Sequence, residues 1–233
     1  MRLTHLKQAV FEANLALVKE GLVKLTWGNV SGIDRNLGLI VIKPSGFSYE
    51  EMTTDDMVVL DLEGNVLESK LNPSSDTATH LYLYKNFPSI GSIVHTHSEW
   101  ATSWAQALLS IPCLGTTHAD YFHGPVPCTR LLTPEEIQGD YELSTGKVIR
   151  ELFSDIDPEA VPGVLVAEHG PFCWGKNPAE ALKHAVILEE IAKIAFRTFV
   201  LGKKDPVQPA ILEKHYSRKQ GPKAYYGQVT GDK

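Results

Sequence analysis

The chain has 233 residues, 43% of them hydrophobic and 21% charged, which fits one sizeable folded domain over residues 1–233. A net charge of −6 and a pI near 5.8 argue against non-specific nucleic-acid binding, because a phosphate backbone calls for a basic face. Three widely spaced cysteines without a CxxC pair exclude a disulfide framework and a cysteine-rich zinc site.

In chain order, Leu6, Val10, Ala13 and Leu17 fall at helical spacing, predicting an amphipathic helix over 3–20 that stops near Gly21. This opening lacks a long apolar run and carries acidic residues, so it does not read as a signal peptide. No apolar stretch reaches about 18 residues, the length a membrane helix needs. The chain is therefore expected to be cytoplasmic and free of membrane contact. Leu39–Ile42 is a short β-branched run leading into the loop Lys43-Pro44-Ser45-Gly46. Val58–Leu62, a glycine turn at 63–65 and Val66-Leu67 predict a hairpin. A helix over Thr77–Asn86 and a strand over Ser92–Thr96 follow, then Ser98 as the N-cap of a helix carrying Trp100, Trp104 and Leu108. Thr133-Pro134-Glu135-Glu136 is a helix start with proline at the first position and a carboxylate three residues after the cap. Val164–Val166 reads as a buried strand, and Asn177-Pro178-Ala179-Glu180 opens the longest helix, running to about Val200 before Gly202.

Strands and helices alternate, yet a hairpin is present and no glycine-rich fingerprint follows the first strand. The expected fold is α/β, three layers with a central, mainly antiparallel mixed sheet flanked by helices on both faces.

His95-Thr96-His97 is the most informative local pattern. On a strand, residues two apart share a face, so both imidazoles can reach one ion. Imidazole suits zinc and related divalent metals, and catalytic sites use three protein ligands plus an open position. The third candidate is His169, in Glu168-His169-Gly170-Pro171 directly after a predicted strand; Asp76, in Pro73-Ser74-Ser75-Asp76, could add a carboxylate. By pattern alone one HxH among nine histidines also reads as incidental. His5 and His184 sit on amphipathic helices and read as surface or packing residues, while His118 and His123 stay open between packing and function.

Seven motifs occur in order. They are Thr26-Trp27-Gly28-Asn29-Val30-Ser31, Ile42-Lys43-Pro44-Ser45-Gly46, Pro73–Asp76, His95–His97, Gly115-Thr116-Thr117-His118-Ala119-Asp120-Tyr121 and His169-Gly170-Pro171-Phe172, then a tail from His215-Tyr216 and Arg218 to Tyr225-Tyr226-Gly227-Gln228. Together they resemble the L-ribulose-5-phosphate 4-epimerases of the class II aldolase and adducin superfamily, over nearly the whole chain.

The resemblance implies a class II aldolase-like fold and a homotetramer with sites at subunit interfaces. It also implies a sugar-phosphate substrate and a divalent metal, usually zinc with manganese or cobalt also fitting, held by His95, His97 and His169 with Asp76 beside them. By the same likeness Ser45, Gly46, Ser74 and Ser75 hold phosphate and Gly28 and Asn29 border the substrate. Asp120 and Tyr226 form an acid/base pair from a neighbouring subunit. Glu142, His215 and Arg218 support them, and a C-terminal tail from about 206 to 233 joins the site.

From the residues themselves, Lys43-Pro44-Ser45-Gly46 and Ser74-Ser75 can form an anion nest to which Lys43 adds charge, or simple turns. Asp120 reads equally as a turn aspartate, and Tyr226 as a packing residue. Related fuculose-phosphate aldolases place a glutamate where this chain has Asp76, and a shorter carboxylate favours the epimerase over the L-fuculose- or L-rhamnulose-phosphate aldolases. A non-catalytic adducin-like scaffold would not need three retained histidines. A zinc hydrolase would call for HExxH, which is absent, although Glu168 stands next to His169.

Overall fold

The computed structural model describes residues 2–220 together with 224 and 225. Its centre is a seven-stranded sheet: β1 (Asn29–Asp34), β2 (Leu39–Ile42), β3 (Val58–Asp61), β4 (Val66–Glu68), β5 (Ser92–His95), β6 (Gly163–Val166) and β7 (Gly170–Gly175), in the order β4-β3-β2-β1-β5-β7-β6. Every pair of neighbouring strands is antiparallel. The expected "mixed" character is thus corrected, since the parallel contact is a single bridge between Cys128 and Leu165. Antiparallel neighbours follow from short connections, such as the turns between β3 and β4 and between β6 and β7, which cannot carry a parallel crossover.

Helices cover both faces. The first, α1 (Arg2–Lys19), matches the predicted span and ends where Gly21 takes φ +71°. Buried Asn14 pins it to β1, donating to the Val10 and Val30 carbonyls and accepting from the Val30 N–H at 2.9 Å. The face alternation of β1 is visible in two successive residues. Gly32 lies under Leu6 and Val10 of α1, while the Ser31 hydroxyl meets His80 and Tyr84 of α2 (Thr77–Asn86) at 2.7 Å each. One face therefore carries α1 and the other α2.

The third helix, α3 (Glu99–Gln106), starts at Ser98 as expected, but the Ser98 hydroxyl makes no capping bond. Its place is taken by Glu189, whose carboxylate accepts from the Trp100 and Ala101 N–H groups at 2.8 and 2.9 Å. Leu108, expected on this helix, lies past its end at φ +59°. A short α4 (Thr116–Ala119) follows, then α5 (Pro134–Gln138), where the predicted capping box is formed. Gly139 ends α5 after five residues and Asp140 caps a separate α6 (Tyr141–Leu152). Glu189 belongs to α7 (Pro178–Val200), the longest helix, whose Asn177 cap accepts from Glu180 N–H. The last, α8 (Pro209–Lys219), buries none of its residues. No described helix is long and apolar enough to cross a membrane.

Candidate metal and sugar-phosphate site

Three strand ends meet at one point. In the register, His95 closes β5 opposite Asn29 of β1 and Phe172 of β7. His97 lies two residues past the end of β5, and His169 occupies the turn just before β7. The strand therefore delivers His95 and hands the chain on to His97, and both imidazoles still converge. Ring centroids of His95, His97 and His169 stand 4.9, 4.8 and 5.1 Å apart, a near-equilateral triangle. One ligand nitrogen from each lies within 4.8 Å of the others.

Close backbone approach makes the triangle possible. A methyl group on Gly170 would meet the Thr96 carbonyl at 2.8 Å, and one on Gly28 would meet the His95 carbonyl at 2.8 Å, with φ +93° already in the left-handed region. Phe172 stacks on His95 at 4.1 Å and 19°, and the His95 Nδ1–H donates to the Pro171 carbonyl at 3.0 Å. That bond fixes the tautomer and leaves Nε2 as a lone-pair donor. His95 Nε2 and His97 Nε2 are 3.1 Å apart. Two nitrogens bonded to one zinc at tetrahedral angles sit about 3.3 Å apart.

Burial disfavours the charged form of His97 and His169, against the pull of Asp76. Burial pushes His169 down to about 3, helped by His95 and His97, and burial followed by His95 lowers His97. Neutral imidazole is the ligand form. Burial works to raise Asp76, but His95, His80, His169 and the Asn29 amide outweigh it and hold the carboxyl below the usual range. The donor set, three imidazole nitrogens beside a carboxylate, fits a divalent ion of the zinc type. Asp76 stands just outside the triad: its Oδ2 accepts from Asn29 Nδ2 at 2.7 Å at the start of α2.

These residues form one wall of a cleft of about 340 Å³, also lined by Gly28, Asn29, Lys43, Ser45, Gly46, Ser74, Ser75 and Glu142. The Ser45-Gly46 and Ser74-Ser75 turns are tied together: Ser74 N–H donates to the Lys43 carbonyl, Ser45 N–H to the Asn72 carbonyl, and Pro44 bridges to Pro73. Ser45, Gly46 and Ser75 are exposed. Lys43, expected to add charge to this nest, also lines the cleft. It is buried, and its ammonium donates to the Phe47 carbonyl at 2.8 Å and lies over the Tyr49 ring. Burial lowers it to about 8. It braces the loop from beneath. Tyr49, not foreseen from sequence, completes the brace by donating to the Gly28 carbonyl at 2.8 Å.

A second group assembles away from this cleft. Asp120, at the end of α4, accepts from His215 at 3.0 Å and from Arg218 at 2.9 and 2.7 Å, with Lys219 at 3.1 Å. Burial works to raise its pKa, and the Arg218, His215 and Lys219 hydrogen bonds bring it below the ordinary value. Thus Asp120, His215 and Arg218 are brought together with one another but do not line the cleft of their own chain. Tyr226 lies outside the described residues. The open histidines resolve as packing and surface groups: buried His118 donates to the Gly124 carbonyl, and His123 pairs with Glu213. His184 is buried against the Trp174 carbonyl.

Residues 8–196 match the class II aldolase and adducin N-terminal domain family. This chain belongs to that family. It is 56% identical over 224 residues to the L-ribulose-5-phosphate 4-epimerase UlaF of Salmonella paratyphi B, covering 96% of this chain and 98% of that one. The protein of the same name in Salmonella typhi matches to the same extent. Among solved structures, an L-fuculose 1-phosphate aldolase superposes with a TM-score of 0.78 at 27% identity, covering 92% of this chain and 95% of the other. The family's general dependence on divalent metal agrees with the triad. Tyr141, also in the cleft, had no motif to signal it beyond its place next to Glu142.

Proposed function

We propose that this chain is an L-ribulose-5-phosphate 4-epimerase, interconverting L-ribulose 5-phosphate and D-xylulose 5-phosphate by breaking and re-forming the C3–C4 bond. The observation that carries the reading is the triad of imidazoles sharing one cleft with the Ser45-Gly46 and Ser74-Ser75 turns, in a chain 56% identical over 224 residues to an enzyme of that name. The C4 hydrogen is not adjacent to the carbonyl, so simple deprotonation cannot invert that carbon.

His95, His97 and His169, with Asp76 nearby, would hold the divalent ion, zinc being the first choice. When bound, it supplies positive charge that offsets the negative charge developing on the oxygens of C2 and C3 during cleavage. Ser45, Gly46, Ser74 and Ser75 hold the phosphate through hydroxyls and backbone N–H groups, and Asn29 and Glu142 border the sugar. With its phosphate fixed, the two-carbon aldehyde can turn its other face to C3.

The C3–C4 electron pair stays with C3 as the C4 oxygen yields its proton and becomes the aldehyde. On re-addition the pair returns to C4 and the oxygen regains a proton from the opposite side. Two acid/base groups are therefore required, and Asp120 and Tyr226 are assigned to them, positioned with His215 and Arg218 by the C-terminal tail. Since Asp120 does not line its own cleft, a neighbouring copy supplies the pair, in a homotetramer with sites at subunit contacts. Exposed Trp27, Phe196, Val200 and Leu201 offer apolar area for that association.

The test is conversion of L-ribulose 5-phosphate by the zinc-loaded protein in deuterated water. D-Xylulose 5-phosphate with hydrogen retained at C4 is expected. Deuterium at C4 excludes bond cleavage, and net release of dihydroxyacetone would make the chain an aldolase instead.

A further inference from the structure

The bond that His95 makes away from the cleft is plain: its Nδ1–H meets the Pro171 carbonyl, which can only accept. His169 has a different partner. Its Nδ1 lies 3.2 Å from the hydroxyl of Tyr141, the first residue of α6, with the two rings 6.0 Å apart. A phenol can donate or accept, so the direction must be argued. If Tyr141 donated, Nδ1 would be the lone pair and Nε2 would carry the proton, and His169 would offer no lone pair to an ion shared with His95 and His97.

We infer that Tyr141 is a positioning residue: it accepts from His169 Nδ1–H, holding Nε2 as the ligand nitrogen, and its own O–H proton is thereby left to donate to a substrate oxygen in the cleft. This rests on the proposed function in one respect, the cation shared by the triad. The hydroxyl has no other hydrogen bond among the described residues, and Tyr141 lines the cleft together with His95, His97 and Asp76. The position is well anchored, since Asp140 caps α6 through Leu143 N–H and Thr145 donates to the Tyr141 carbonyl. Outer partners of ligating histidines typically contribute about 10- to 100-fold in metal affinity.

The experiment is a zinc-chelator competition on metal-free wild type, Tyr141→Phe and Thr145→Val. Thr145→Val loosens the same helical turn but keeps the phenol. Tyr141→Phe should bind Zn²⁺ about 10-fold more weakly, with Thr145→Val near wild type. At saturating zinc, Tyr141→Phe should also raise KM for L-ribulose 5-phosphate several-fold. Equal zinc affinity in Tyr141→Phe and wild type overturns the positioning role, as does equal loss in both variants. An unchanged KM overturns the donor role. Failure of wild type itself to bind zinc would instead remove the shared cation, and the proposed function with it.

Discussion

The histidine cleft and the Asp120 cluster are built by opposite means. In the cleft, polar groups are left partly unsatisfied: three imidazoles converge with Nε2 of His95 and His97 only 3.1 Å apart, and the buried Asn29 Oδ1 has no partner among the described residues. At Asp120 each oxygen is matched by donors from α8. Unsatisfied buried groups ask for a ligand, whereas a fully paired carboxylate is held in place. Among the described residues the cleft keeps an unpaired buried polar atom, whereas the Asp120 cluster ties α4 to α8.

Substitutions can break this contrast. The largest effect is expected for His97→Ala, which removes one of three donors. Zinc affinity should fall by more than the roughly 100-fold typical of outer partners, with activity lost in parallel, as read by metal analysis and the epimerase assay. Asp120→Asn should separate the two regions: zinc content stays at the wild-type level while kcat drops roughly 100- to 1,000-fold. Loss of zinc in that variant would mean the regions are not independent.

Acid should expose the cost of the neutral rings. Burial lowers His80 and His169 to about 3 and His118 to about 4. Unfolding frees each to take a proton near pH 6.5, so the unfolded chain binds more protons below that pH. The stability that these groups contribute is present above pH 6.5 and lost as pH falls toward 3–4, by about 1.4 kcal/mol per pH unit for each histidine. Urea melts of metal-free protein at pH 7, 6 and 5 would measure it. The smallest effect is expected for Gly28→Ala, which forces a left-handed alanine against the His95 carbonyl. It should lower unfolding free energy by about 2 kcal/mol, read by the same melts.

Much of this was legible beforehand where one residue type has one use. The periodicity of α1, the Thr133 box and the Asn177 start predicted real helix limits, and the ordered motifs predicted the residues lining the cleft. What stayed hidden was the partner that each side chain takes. Ser98 stands at the N-cap as expected, but the capping bonds come from Glu189 of α7, 88 residues from Ala101 in sequence. Lys43 lines the cleft, and no local pattern shows that its ammonium meets the Phe47 carbonyl and the Tyr49 ring. Leu108 fell off its helix because α3 ends at Gln106. Asp120 was found with its His215 and Arg218 partners, while Tyr226 lies outside the described residues.

The pairing of Asn29, His95 and Phe172 in adjacent strands has a thermodynamic corollary. A one-residue slip of β5 against either neighbour would turn His95 to the opposite side of the sheet. The donors also lie 72 residues apart along the chain, from His97 to His169. Local fraying therefore cannot assemble a competent ligand set; only the whole folded sheet can. Bound cation would then add its binding energy to the global unfolding equilibrium, and amides in the middle of β5 would exchange more slowly with solvent once it is present.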